Sequence, residues 1–77
     1  MNNTRRKQLE ALIERIEVIK EELEVLKDEE QEYYDNMPDA FRDGEKGEKA
    51  SQIIDALDCA YLNLADVPDY IQEAIEQ

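Results

Sequence analysis

The sequence predicts an all-α fold, an antiparallel two-helix hairpin of coiled-coil character, and three observations carry that reading. Two stretches repeat apolar residues at alternating intervals of three and four, the spacing that keeps one stripe on one side of a helix. Both glycines and one of the two prolines fall in the segment between those stretches. The stretches are also nearly equal, about 32 residues or roughly 48 Å each as helix, so a short connector folds one back along the other.

In the first arm Leu9, Leu12, Ile16, Ile19, Leu23 and Leu26, followed by Glu30, Tyr33 and Met37, keep the alternation. This is a heptad seam with Leu9, Ile16 and Leu23 at a and Leu12, Ile19 and Leu26 at d. Good helix formers fill the remaining positions and no glycine or proline precedes Pro38. The helix is predicted over residues 4 to 35 or so, capped by Asn3 or Thr4. Arg5, Arg6 and Lys7 oppose the helix dipole there, so the first residues are expected to fray.

The connector spans residues 36 to 46. Pro38 drives Met37 out of the helical region and stops the first helix near Asn36. Asp43 is the candidate cap of the second helix, and Glu45 with Lys49 make a favourable pair four apart. Gly47 weakens that first turn by about 1 kcal/mol relative to alanine.

The second arm is predicted over residues 47 to 76, with Ala50, Ile53, Leu57, Ala60, Leu64, Val67, Ile71 and Ala74 as its seam. Ile54, Ala56, Tyr61, Tyr70 and Ile75 widen the apolar face at e and g. Pro68 allows two outcomes, a kinked but continuous helix or a break with Asp66 capping a short final helix. The heptad register runs across Pro68 without a slip, which favours the kink.

A chain of 77 residues is one domain with a thin core, so self-association is the expected way to bury more apolar surface. With the two seams facing each other, Val18 and Val25 remain on one flank and Ile54, Tyr61 and Ile75 on another. Burying those rows in a second copy gives a homodimeric four-helix bundle. The alternative is a monomer whose connector folds over part of one flank.

Charge bounds the partners. The chain has 21 acidic and 9 basic residues, a net charge of −12. Five bases (Arg5, Arg6, Lys7, Arg15, Lys20) and three acids (Glu10, Glu14, Glu17) leave the first 20 residues at +2, and the remainder at −14. Such a surface repels phosphates and anionic headgroups, which argues against direct binding to nucleic acid or membrane. It suits a basic protein instead. The single cysteine, Cys59, and the lack of a leader-like opening point to the cytoplasm, and no apolar run is long enough to span a bilayer. Cys59 reads as a small, semi-buried helix residue.

Catalytic constellations are missing. There is no histidine to activate a nucleophile or to build a di-iron bundle, and no phosphate-cradling glycine loop. The Asp39 to Glu45 segment lacks the ligand spacing of a calcium loop. The expectation is a protein without enzymatic activity, cofactor or metal.

Two surfaces remain as candidates for recognition. Glu10, Glu14, Glu17, Glu21, Glu24, Asp28 and Asp35 fall on adjacent b and f positions and form a carboxylate ridge. It is either the solvated back of a coiled coil or, joined by Glu32, Asp39 and Asp43 at the hairpin tip, an imitation of a nucleic-acid backbone offered to a basic groove. Tyr33, Tyr34, Met37 and Phe41 gather near the tip, where they either contact a partner or close the end of the hairpin core.

The run Asp28-Glu29-Glu30-Gln31-Glu32-Tyr33-Tyr34-Asp35-Asn36-Met37-Pro38, with Gly47-Glu48-Lys49-Ala50 and Ile53-Ile54-Asp55-Ala56-Leu57-Asp58, resembles small acidic helical-hairpin proteins encoded by bacteriophages and prophages. The resemblance spans roughly residues 20 to 65, and Asp35-Asn36-Met37-Pro38 is its most specific part. It implies an accessory protein acting inside a bacterial host. Together these readings give an interaction module that binds and inhibits a host protein, such as a nucleic-acid-binding defence factor. The alternative is a structural or assembly protein acting by self-association.

Overall fold

A computed structural model describes all 77 residues. It is all-helical, with α1 (Asn3–Asp35), α2 (Asp39–Arg42) and α3 (Glu45–Glu76) in order and no strand. The Cα envelope measures 59 × 16 × 11 Å, an extended shape consistent with a helical hairpin. Helix α3 packs on both α1 and α2. No helix is long and apolar enough to cross a membrane.

Each helix end has a local cause. Asn2, one residue before the expected caps, accepts a hydrogen bond on its side-chain oxygen from the Arg5 N–H at 2.7 Å, so the helix begins at Asn3. At the other end the Asn36 N–H reaches the Glu32 carbonyl oxygen at 3.0 Å, and Pro38, with no N–H to give, ends the ladder. Instead of a plain connector the chain forms α2, started at Pro38, whose carbonyl accepts from the N–H groups of Phe41 and Arg42 at 2.9 Å each. The cap of α3 is Gly44, not Asp43, and no side chain bonds its first turn. Glu45 and Lys49 do not pair; the ion pairs are Lys20–Glu17, Lys27–Asp58 and Arg42–Asp39. Helix α3 continues through Pro68 without a break, and Pro68 itself is buried.

The packing seam is rotated from the expected one. In α1 the residues withdrawn from solvent are Arg6, Leu9, Ile13, Ile16, Lys20, Leu23, Lys27, Glu30 and Tyr34 of the a and e rows, with Glu17 beside them at b. Leu12, Ile19 and Leu26, assigned to the seam at d, are 40%, 50% and 57% exposed. The same rotation holds in α3, where Gly47, Ala50, Ile54, Leu57, Tyr61, Leu64, Pro68, Ile71 and Ile75 are withdrawn, with Ser51, Ala65 and Ala74 beside them, while Ile53, Ala60 and Val67 are exposed. The physical reason lies in α3, whose e row (Ile54, Tyr61, Ile75) carries more bulk than its d row (Ile53, Ala60, Val67, Ala74). The lysines at e in α1 are no obstacle, because their ammonium groups lie over an aromatic ring and pair with the Glu17 and Asp58 carboxylates at the edge of the seam. Lys20 and Lys27 place Nζ 5.8 and 5.1 Å from the centroid of the Tyr61 ring.

The interior is correspondingly slight. Met37 and Ala50, near the α2 end of the molecule, are the only buried hydrophobic residues apart from Pro68.

Candidate functional site

At 100° per residue the b and d rows of a helix point about 160° apart, so a seam formed from a and e has b on one side and d on the other. Cross-helix contacts fix which rows share a side. Lys27 of α1 donates from Nζ to Asp58 Oδ1 of α3 at 3.2 Å, and Glu24 lies by the Tyr61 hydroxyl, so the b rows meet on one side. Tyr33 of α1 and Ile53 of α3 line one shallow hollow with Lys46, so the d rows meet on the other. The molecule is therefore two-faced.

The first face is acidic. Glu10, Glu14, Glu17, Glu21, Glu24 and Asp28 of α1 stand on the side where Asp55 and Asp58 of α3 also lie. Lys20 and Lys27 sit at its inner edge. The Glu17 carboxylate, bonded to Lys20, and Asp58, bonded to Lys27, hold both ammonium groups above the ordinary lysine value of 10.5. The nearby Glu24 carboxylate likewise raises the Tyr61 phenol above 10.0, and desolvation adds to the shift. Of the acidic residues singled out in the sequence, Glu17, Glu21, Glu24 and Asp28 are brought together here. Asp35 accepts a bond from Gln31 Nε2 at 3.0 Å at the helix end. Glu32 stands apart on the back of α1. Asp39 lies 3.8 Å from Arg42 within α2, and Asp43 ends that helix.

The second face is apolar, and it consists of residues that sequence reasoning had placed in the seam: Leu12, Ile19, Leu26 and Tyr33 of α1 with Ile53, Ala60 and Val67 of α3. The residues expected to drive self-association are elsewhere. Val18 and Val25 are exposed at c, directly behind the seam, about 100° from the d row. Ile54, Tyr61 and Ile75 are in the intramolecular seam, where the Ile75 carbonyl accepts a bond from Arg6 Nε at 3.3 Å. Cys59, expected to be semi-buried, is exposed. The signal that would have found the free face was present, since the greater bulk at e in the second arm already ranks that row above d.

At the tip the four singled-out side chains divide. Met37 is buried and Tyr34 half-buried, with the Arg42 guanidinium 5.9 Å from the Tyr34 ring centroid. Arg42 Nη2 also donates to the carbonyl oxygens of Asp35 at 3.1 Å and Met37 at 3.2 Å, which ties α2 to the end of α1. Tyr33 and Phe41 are 56% and 51% exposed and line an open hollow of about 310 Å³ with Asn36, Met37, Pro38 and Lys46. This hollow adjoins the one shared by Tyr33 and Ile53, so the apolar face runs onto the tip.

A scan against protein-family models, a search of curated proteins and a search of solved structures each find no match to this chain.

Proposed function

We propose that this chain is a non-enzymatic protein-interaction module: an antiparallel helical hairpin, paired as a homodimeric four-helix bundle, that offers its carboxylate face to a basic protein. In keeping with the phage-like character of its sequence, the partner is a nucleic-acid-binding protein of a bacterial host, held in its cytoplasm and inhibited. The antiparallel arrangement rests on cross-helix contacts whose partner numbers run in opposite directions, from Arg6 with Ile75, through Lys20 with Tyr61, to Lys27 with Asp58. The single observation that carries the functional reading is the segregation of Glu10, Glu14, Glu17, Glu21, Glu24 and Asp28 to the side opposite the apolar rows. A continuous run of carboxylates along one side of a stiff rod offers a directed negative field, suited to steering toward and docking on a basic groove.

The test is capture of host proteins at low and high salt, with and without duplex DNA as competitor. The proposal expects basic partners that DNA displaces, that salt releases, and that a variant with Glu17→Gln, Glu21→Gln, Glu24→Gln and Asp28→Asn no longer holds. Partners indifferent to all three would refute it. The exposed apolar rows favour a second reading, assembly or scaffolding through self-association. That role survives the charge neutralisation and is abolished by Leu26→Glu.

A further inference from the structure

The d face is unpartnered, and its dimensions, charge and shape all specify what covers it. A compact single chain of 9.0 kDa exposes about 4,850 Å² by the usual size scaling, whereas this one exposes 5909 Å², an excess on the order of 1,000 Å². Two such surfaces joined would remove roughly 2,000 Å², the area of a stable protein interface. The Cα envelope is only 11 Å deep, one layer of helices, and a stable domain needs a second layer over its apolar side. A second copy can supply that layer without bringing the acidic faces together, since the b and f carboxylates of both copies then point outward. A basic partner would be drawn to the opposite face.

We infer that the d face is covered by the d face of a second copy, with α1 of each over α3 of the other and both hairpin tips at the same end. The inference rests on the hairpin and bundle proposed above and deepens them. Tyr33 shares its hollow with Lys46 and Ile53, which sets its level between those two residues of α3. Stepping back by heptads, about 10.5 Å each, puts Leu26 between Ile53 and Ala60, Ile19 between Ala60 and Val67, and Leu12 between Val67 and Ala74. A two-fold axis parallel to the helices preserves those levels. Each bulky side chain of α1 then enters the gap between two residues of the partner's smaller row, as knobs fill holes. An axis across the helices would stack α1 on α1 and α3 on α3, crowding Leu, Ile and Tyr along one edge and leaving a gap between alanines along the other. The chosen axis also brings Arg5, next in the α1 row, to the level of the last turn of the other copy's α3, where free helix carbonyls favour a cation.

Asp43→Cys on a Cys59→Ser background places one spin label at the tip of each full-length chain without touching the face. The expected results are a scattering mass of twice 9.0 kDa and a label separation of about 20 to 30 Å, set by helix spacings of about 10 Å plus the label arms. Leu26→Glu should halve the mass. A mass of one chain overturns the inference together with the proposed bundle. A two-chain mass with labels separated by about the 59 Å length of the molecule overturns this arrangement alone, leaving the hairpin and its acidic face as proposed.

Discussion

Gly47 lies so close to Arg42 that a β-carbon on Gly47 would stand 1.8 Å from the Arg42 carbonyl oxygen and 2.5 Å from its Cα. Both obstructing atoms are backbone, so no rotamer change can make room. The glycine that costs α3 some helix propensity is what lets α2 fold onto it. Gly47→Ala is expected to lower stability by roughly 2 to 3 kcal/mol through forced backbone displacement, despite the better helix propensity of alanine. At Gly44 the nearest atom is the Ala40 carbonyl oxygen at 3.1 Å, so Gly44→Ala should cost clearly less. Urea unfolding of the two variants checks the order, and equal midpoints would contradict it.

Pro68 sits inside α3 and leaves the Leu64 carbonyl without its usual N–H partner. Replacing an interior proline by alanine recovers about 3 kcal/mol, less roughly 1 to 2 kcal/mol for the ring volume lost from a buried position. Pro68→Ala should therefore raise stability by about 1 to 2 kcal/mol. A thermal melt that falls instead would mean that the proline ring is worth more in the seam than the hydrogen bond it removes.

Arg42 fastens α2 to the end of α1 through two carbonyl oxygens and the Tyr34 ring. Lysine keeps the charge but has no planar guanidinium to lie over the Tyr34 ring while one nitrogen reaches both carbonyls. Arg42→Lys is expected to lose about 1 kcal/mol and to raise hydrogen-exchange rates selectively over residues 36 to 44. Unchanged exchange there would show that Arg42 does not fasten α2.

The gross architecture was legible because heptad spacing, punctuation at Pro38 and the glycines, and matched arm lengths all point to paired helices. What the spacing alone does not decide is which two of three apolar rows face inward. Leu12, Ile19 and Leu26 look like core residues on any hydrophobicity count, and Lys20 and Lys27 look like surface. The choice was made by Tyr61, whose ring accepts two lysine ammonium groups, and by Gly47 and Ala50, whose small size lets the helices approach at the tip end. Asp43 failed as a cap because the intervening residues form a helix of their own, which four residues of sequence do not announce.

Rising alkaline pH should destabilise the folded protein through Lys20, Lys27 and Tyr61. Lys20, Lys27 and Tyr61 all have folded pKa values raised above those of the free groups, so each holds its proton more tightly when folded. Their contribution is complete below pH 10 and is lost as pH climbs through the folded values. The difference in phenolate absorbance between wild type and Tyr61→Phe isolates one titration, expected with a midpoint above 10.0. A midpoint at or below that value would remove Glu24 as its cause.

The paired contacts of Tyr61 report on whether the helices meet through their a and e rows and leave the d rows free. Nuclear Overhauser measurements on the full chain, read from the Tyr61 ring protons, should show cross-peaks to the side chains of both Lys20 and Lys27. A Tyr61 ring with no cross-peak to either lysine would contradict the rotated seam, and with it the separation of an acidic face from an apolar one.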